Sequence, residues 1–90
     1  MAKVGYVYIL TNKYNRVLYT GVTSKLEQRI YQHKHKTIAG FSSRYNCQKL
    51  VWFERCAEIS IAIEKEKKIK AGSRAKKISL IESMNPYWHD

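Results

Sequence analysis

Acidic residues are scarce in this 90-residue chain: seven Asp and Glu stand against 17 Lys and Arg, a net charge of +10 with His neutral. That balance disfavours a basic partner and favours a polyanion, of which nucleic acid is the most abundant in the cytosol, with an anionic membrane surface as the competitor. Proline occurs once and glycine four times, so neither a linker nor a low-complexity segment is visible, and a hydrophobic content of 44% suits an ordinary globular domain. Cysteine is limited to Cys47 and Cys56, without CxxC spacing and without a signal-peptide pattern ahead of them, which reads as two reduced structural thiols. No stretch approaches the roughly 18 consecutive apolar residues of a membrane helix, because Lys or Arg interrupts each one. The expectation is one cytoplasmic domain over residues 1–90, without a membrane span, whose modest core needs no disulfide.

The positive charge is also clustered. Residues 65–77 hold Lys65, Lys67, Lys68, Lys70, Arg74, Lys76 and Lys77 against Glu66 alone, a pattern that suits neutralisation of a phosphate backbone better than a solubilising surface. Lys67, Lys70 and Arg74 in this patch are candidate contacts to nucleic acid. Lys34, Lys36 and Arg44, close to the 37–47 stretch, are the others. DNA is the expected partner, with RNA left open.

Val4 to Leu10 are β-branched and aromatic apart from Gly5 and Leu10, and a period of two sends Tyr6 and Tyr8 to one face and Val7 and Ile9 to the other. A polar stretch with Asn12 and Asn15 as turn formers precedes a second strand over 17–22, so a hairpin is expected that lets Tyr8 and Tyr19 approach. Ser24 with Glu27 three residues on reads as a capping box opening a helix to about Lys36. Residues 37–47 read as a mobile connection with one short helical turn. Lys49 to Cys56 form a third strand, Ala57 to Ala71 a helix stopped by Gly72, and Ser73 caps a last helix through Met84, ended by Asn85-Pro86. The expected order is ββαβαα.

Two helices carry ionisable groups where an apolar stripe should run. With about 100° per residue, Arg29 and His33 share a face with Leu26 and Ile30, and Glu66 shares one with Ile59, Ala62 and Ile63. The bland explanation is a structural Arg29–Glu66 ion pair with His33 hydrogen-bonded nearby. The sharper one is a cleft in which an Arg, a His, a carboxylate and Tyr8 and Tyr19 converge beneath a basic rim. Phosphodiester cleavage needs a base to activate water, charge stabilisation at phosphorus and help for the departing oxygen. Glu66 would hold a single Mg²⁺, a hard cation that takes one or two carboxylates along with waters and phosphate oxygens. Arg29 would grip a phosphate oxygen, and Tyr8, Tyr19 or His33 would pass protons or orient water, a tyrosine base requiring a phenol acidified by positive charge.

Tyr6-Val7-Tyr8, Tyr19-Thr20-Gly21, Arg29, His33, Glu66 and Asn85-Pro86, in this order and spacing, strongly resemble the GIY-YIG nuclease domain over almost the whole chain. The likeness is to the small stand-alone bacterial group related to the N-terminal nuclease domain of the excision-repair protein UvrC. It implies an α/β (α+β) sandwich with a three-stranded antiparallel sheet flanked by helices. The activity implied is a metal-dependent DNA endonuclease using one Mg²⁺ or Mn²⁺, with a place in DNA repair or recombination. By the same resemblance Tyr8 activates water, Tyr19 positions the nucleophile or phosphate, Arg29 stabilises the phosphate, and His33 is the helix histidine of the catalytic set. Glu66 binds the metal, Asn85 is the late asparagine of the set, and Gly21 permits close backbone packing. The first motif has Tyr6 where the family has Gly and the second has Thr20 where it has Ile, neither of them a chemical position. The chain has no room for a separate DNA-binding module, so a protein partner supplying specificity is expected, and at Trp88-His89-Asp90 it stops where similar sequences often continue.

Other residues have plainer readings. Cys47, Cys56, His33 and His35 fit no compact zinc spacing. Trp52, Phe53 and Trp88 belong in the core sooner than on unpaired bases. Tyr14 and Tyr31 have no assigned role. The rival to the nuclease is a basic nucleic-acid-binding module whose catalytic constellation is idle, and a third class is an adaptor for acidic partners.

Overall fold

The strand-forming pattern around Tyr8 lies at the centre of the molecule. A computed structural model describes residues 3–37 and 40–90. Strand β1 (Gly5–Thr11) is flanked by β2 (Leu18–Thr23) and β3 (Lys49–Cys56) in one antiparallel sheet of order β2-β1-β3. The helices are α1 (Leu26–Lys34), the short α2 (Phe41–Arg44), α3 (Ile59–Ala71) and α4 (Arg74–Met84). This is the expected α+β architecture and order, with α2 as the short turn inside the 37–47 connection.

Pairing Tyr8 with Gly21 on one side and Phe53 on the other puts successive β1 side chains on opposite faces. Val7 and Ile9 meet Trp52, Cys56, Ala62, Ile81 and Trp88 beneath α3 and α4. Tyr8 and Leu10 meet Cys47, Leu26, Ile30 and Leu50 on the face that α1 covers. Cys47 and Cys56 are free thiols buried in these separate clusters. A bulge between Ile9 and Leu10 places Val51 out of register on β3, which frees its carbonyl for the contact described below.

The hairpin turn is built by Asn12, whose Oδ1 accepts from the backbone N–H groups of Arg16 at 2.8 Å and Val17 at 3.3 Å, while Asn15 turns left-handed at φ 57°. The α1 start differs from the capping box expected at Ser24. The N-cap is Lys25 without a side-chain cap bond, and Thr23 Oγ1 at the end of β2 accepts from Lys25 N–H at 3.1 Å. A threonine two residues earlier thus satisfies the donor and leaves Ser24 exposed. The helix also ends at Lys34, short of the expected Lys36. Lys36 is left-handed at φ 54°, and Thr37 N–H bonds back to Gln32 O and Lys36 N–H to His33 O, a Schellman closure on a non-glycine residue. Helix α2 begins after Gly40, whose φ of 123° suits glycine alone, and closes through Asn46 at φ 57° with Cys47 N–H on Ser42 O. Ser73 caps α4 as expected, its Oγ accepting from Lys76 N–H at 3.2 Å.

On α3 the inward stripe is Ile59, Ala62, Glu66 and Ile69, with Ile63 turned outward at 39% exposure. Trp52 and Trp88 are core residues, but Phe53 is 41% exposed on the Tyr8 face, a correction to the core reading. It lines an open groove with Tyr6 and the start of α1 at Leu26, on the face opposite α3 and α4.

Candidate active site

The site grows from the alternation of β1. Tyr8 is 1% exposed, and a tyrosine buried so deeply needs a partner for its hydroxyl. Its Oη lies 2.9 Å from His33 Nε2, and His33 Nδ1 lies 2.8 Å from Ser42 Oγ. The three residues, from β1, α1 and α2, are all buried. With Nδ1–H donating to the Ser42 hydroxyl, Nε2 keeps a lone pair aimed at the Tyr8 O–H. Tyr19 completes the cluster, its ring centroid 6.3 Å from that of Tyr8 and 5.3 Å from the His33 ring.

Gly21 makes this packing feasible. A Cβ there would stand 2.4 Å from Tyr8 Oη and 2.5 Å from Cζ, so the phenol lies directly against the bare backbone of β2. The close packing expected of this glycine is therefore an approach by the Tyr8 ring itself. Gly5 plays a structural counterpart on β1, where a Cβ would come within 2.7 Å of the Ala62 side chain.

Burial is the main influence raising the Tyr8 phenol above its ordinary pKa, with Tyr19 and the Glu66 charge acting in the same direction and Arg29 opposing them. The acidified phenol expected of a tyrosine base is thus not what the protein alone creates. Burial likewise lowers His33, with the Arg29 charge second, so its imidazole is neutral near pH 7. A protonated phenol against a neutral imidazole donates its O–H to Nε2 in the tautomer that carries the ring hydrogen on Nδ1.

Arg29 and Glu66 both make their charges felt at Tyr8. Both are partly buried, Arg29 on α1 and Glu66 on α3, which lies against β1 and β2 on the opposite face. The ion pair of Glu66 is with Lys70, one turn further along α3 at 3.7 Å, in place of the Arg29–Glu66 pair of the bland reading. A small cavity of about 110 Å³ beside Arg29 is lined also by Thr23, Gln28 and Gln32.

Among the described residues no three His, Cys, Asp or Glu side chains gather into a metal-binding group, so an ion caged by protein does not fit. One largely hydrated Mg²⁺ or Mn²⁺ does fit. The Glu66 side chain is only 14% exposed, its charge is felt at Tyr8, and it meets Lys70 at a distance too long for a hydrogen bond.

Asn85 is placed elsewhere. Its Nδ2 donates to the freed carbonyl of Val51 at 3.1 Å and to His89 O, and its Oδ1 accepts from His89 N–H at 2.9 Å. These bonds clamp the end of α4 to the β3 bulge, so its amide serves the fold and is not turned to the Tyr8 cluster. The basic candidates divide between the two layers. Lys34, paired with Asp90, lies with exposed Lys36 and Arg44 on the α1–α2 side. Exposed Lys67, Lys70 paired with Glu66, and Arg74, near the Asn15 carbonyl, lie on α3 and α4.

Sequence reasoning did not single out Ser42 or Phe41. Phe41 stacks on Tyr19 with ring centroids 6.3 Å apart and planes 22° apart. No local periodicity marks either residue, because both lie in a four-residue helix fixed by tertiary contacts.

Residues 4–79 match the model of the GIY-YIG catalytic domain. A UPF0213 protein of Natronomonas pharaonis is 37% identical, the match covering 90% of this chain and 94% of that protein. One of Syntrophus aciditrophicus is 38% identical over 90% of this chain and 92% of its own. The solution NMR structure of a UPF0213 protein from Bacillus halodurans superposes with a TM-score of 0.60 at 28% identity, covering 94% of this chain and 89% of that one. Both motif tyrosines and the helix histidine meet within this matched region, and the chain belongs to the GIY-YIG family, a nuclease-type family, alongside its small stand-alone UPF0213 members.

Proposed function

We propose that the protein is an endonuclease that hydrolyses DNA phosphodiester bonds with one divalent ion held by Glu66. The observation that carries this reading is the Tyr8–His33–Ser42 chain, a buried proton path whose phenol also feels the charges of Arg29 and Glu66. Water attack requires a proton acceptor. Tyr8 Oη takes the proton of the attacking water as its own proton passes to neutral His33 Nε2, and Ser42 holds the ring in the tautomer that can accept it. Arg29 binds a nonbridging phosphate oxygen and offsets the charge that grows on it during attack. Tyr19, packed against both Tyr8 and His33, orients the phosphate, and as the ester P–O bond breaks the departing oxygen takes a proton from solvent water. The ion on Glu66 supplies further charge stabilisation at the phosphate when bound.

The basic surfaces, split between the α1–α2 and α3–α4 layers, support DNA as the substrate and the two layers as its contacts. The resemblance to the excision-repair nuclease domain supports cytoplasmic work in DNA repair or recombination, with a protein partner narrowing the choice of site.

The test is cleavage of labelled duplex, flap, junction, single-stranded and RNA substrates with and without Mg²⁺ or Mn²⁺, with Glu66→Gln run in parallel. Metal-dependent cleavage that Glu66→Gln abolishes while binding persists is the expected result. A fully active Glu66→Gln protein refutes the metal assignment. Salt-dependent binding without cleavage on every substrate leaves the basic binding module in its place.

A further inference from the structure

The rings next to the catalytic cluster continue outward to the surface. Phe41 stacks on Tyr19, and Tyr45 follows with its centroid 4.6 Å from that of Phe41. Phe41 is 48% exposed and Tyr45 42%, although both are large aromatic residues in a small domain with a well-filled core. The Arg44 guanidinium lies 5.7 Å from the Tyr45 ring. The platform is not a loose tip. Ser42 between the rings is buried and bonded to His33, and buried Cys47 closes the turn through its N–H on Ser42 O.

Tyr45 also borders the next open groove, of about 610 Å³, whose lining includes Lys13, Lys34, Lys49 and Tyr14. Its one carboxylate, Asp90, is paired with Lys34. An aromatic path thus leads from Tyr19 into a cationic groove. Bases held in a duplex offer their edges, whereas an unpaired base offers a face to stack on an aromatic ring or guanidinium while its phosphates follow a line of lysines. The charge of the groove and the direct contact of Phe41 with Tyr19 select that occupant over an apolar peptide.

We infer that Phe41, Arg44 and Tyr45 form a stacking platform for an unpaired nucleotide beside the scissile phosphate, so that the preferred substrate is a single-stranded nucleic acid or an unpaired segment of one. The position beside a scissile phosphate rests on the nuclease reading above. Stacking itself does not.

The experiment uses the full chain carrying Glu66→Gln, so that substrate is not consumed. Fluorescence anisotropy measures its affinity for a short labelled single-stranded DNA, the matching duplex and the matching single-stranded RNA at fixed salt. The same titrations are run after adding Phe41→Ala with Tyr45→Ala, and separately Phe41→Tyr with Tyr45→Phe, with circular dichroism checking the fold. Single strands are expected to bind more tightly than duplex. The alanine pair should weaken them roughly five- to hundredfold, the range for loss of one stacked base, and the ring-keeping pair should restore binding. The DNA and RNA arms identify which strand benefits, and a preference for either supports the platform. An alanine pair that binds single strands as well as the parent, or that weakens duplex and single strands equally, overturns it. Absence of cleavage by the Glu66-containing protein, together with a ring-dependent preference for single strands, instead overturns the nuclease reading and keeps the platform as a binding site.

Discussion

On one face of the sheet Val7, Ile9, Trp52 and Cys56 meet Ala62, Ile81 and Trp88 in a mainly apolar layer that also buries Thr20. On the other, Tyr8 and Leu10 share their layer with His33 and Ser42, whose polar atoms bond to one another and to Tyr8. The same three strands supply both faces, because a period of two lets neighbouring residues serve opposite ends. The apolar face holds the molecule together chiefly by burial, with directed bonds at its margin, from Asn85 to Val51 O and from Trp88 Nε1 to Glu82. The Tyr8 face carries directed hydrogen bonds whose loss leaves buried polar groups unpartnered. Glu66 crosses this division: it belongs to the apolar layer's helix, yet its charge is felt at Tyr8.

The sharpest way to break the comparison is a pair of truncations, one on each face. Trp52→Ala should cost about 3–5 kcal/mol of unfolding free energy in urea titrations, as deletion of a buried aromatic does. Tyr8→Phe should lower single-turnover cleavage roughly a hundredfold or more while changing stability by about 1 kcal/mol. If Tyr8→Phe instead destabilises the protein as much as Trp52→Ala and leaves single-turnover cleavage by the folded protein unchanged, the two faces do not divide labour. Ser42→Ala is a finer probe, because it leaves the buried His33 Nδ1–H without its acceptor, at a cost of about 1–3 kcal/mol. Cleavage should fall with it, and Ser42→Thr, which keeps the hydroxyl, should recover both.

The smallest expected effect is a pH dependence confined to the Tyr8 face. His33 is lowered below its ordinary value of 6.5 in the folded protein, chiefly by burial and secondarily by Arg29. As pH falls below 6.5 the unfolded chain takes up a proton that the folded His33 resists, so stability drops from there until the folded group itself protonates. Urea midpoints followed from pH 7.5 downward should show this slope in the parent and a shallower one in His33→Gln. Equal slopes would remove His33 as its source.

Much of this was legible in the chain because it depends on local periodicity. The Tyr6-Val7-Tyr8-Ile9 alternation assigns faces, and Arg29, His33 and Glu66 stand out on helical stripes where apolar residues are expected. The terminal helices followed from Gly72, Ser73 and Pro86. Local rules failed where a neighbour outside the window decided. Thr23, at the end of a strand, bonds Lys25 N–H, and the helix starts at a Lys25 N-cap in place of Ser24. Asn85 fits a motif series but is engaged by a carbonyl that the β3 bulge exposes. Phe53 reads as core by composition and stands exposed because it lies on the face opposite the α3 and α4 core that buries its neighbour Trp52.

The sequence by itself determined the class of fold, the net charge and the set of reactive side chains, since each follows from residue type and short-range spacing. Only the tertiary structure decided how those groups act. Burial, set by the packing of α1 and α2 over β1, keeps the Tyr8 phenol protonated and His33 neutral. It also brings Ser42 and Phe41, which no spacing marks, to the histidine and the second tyrosine. A proton's preference between two sites depends on desolvation and on charges that approach through space, and neither quantity exists until the chain has folded.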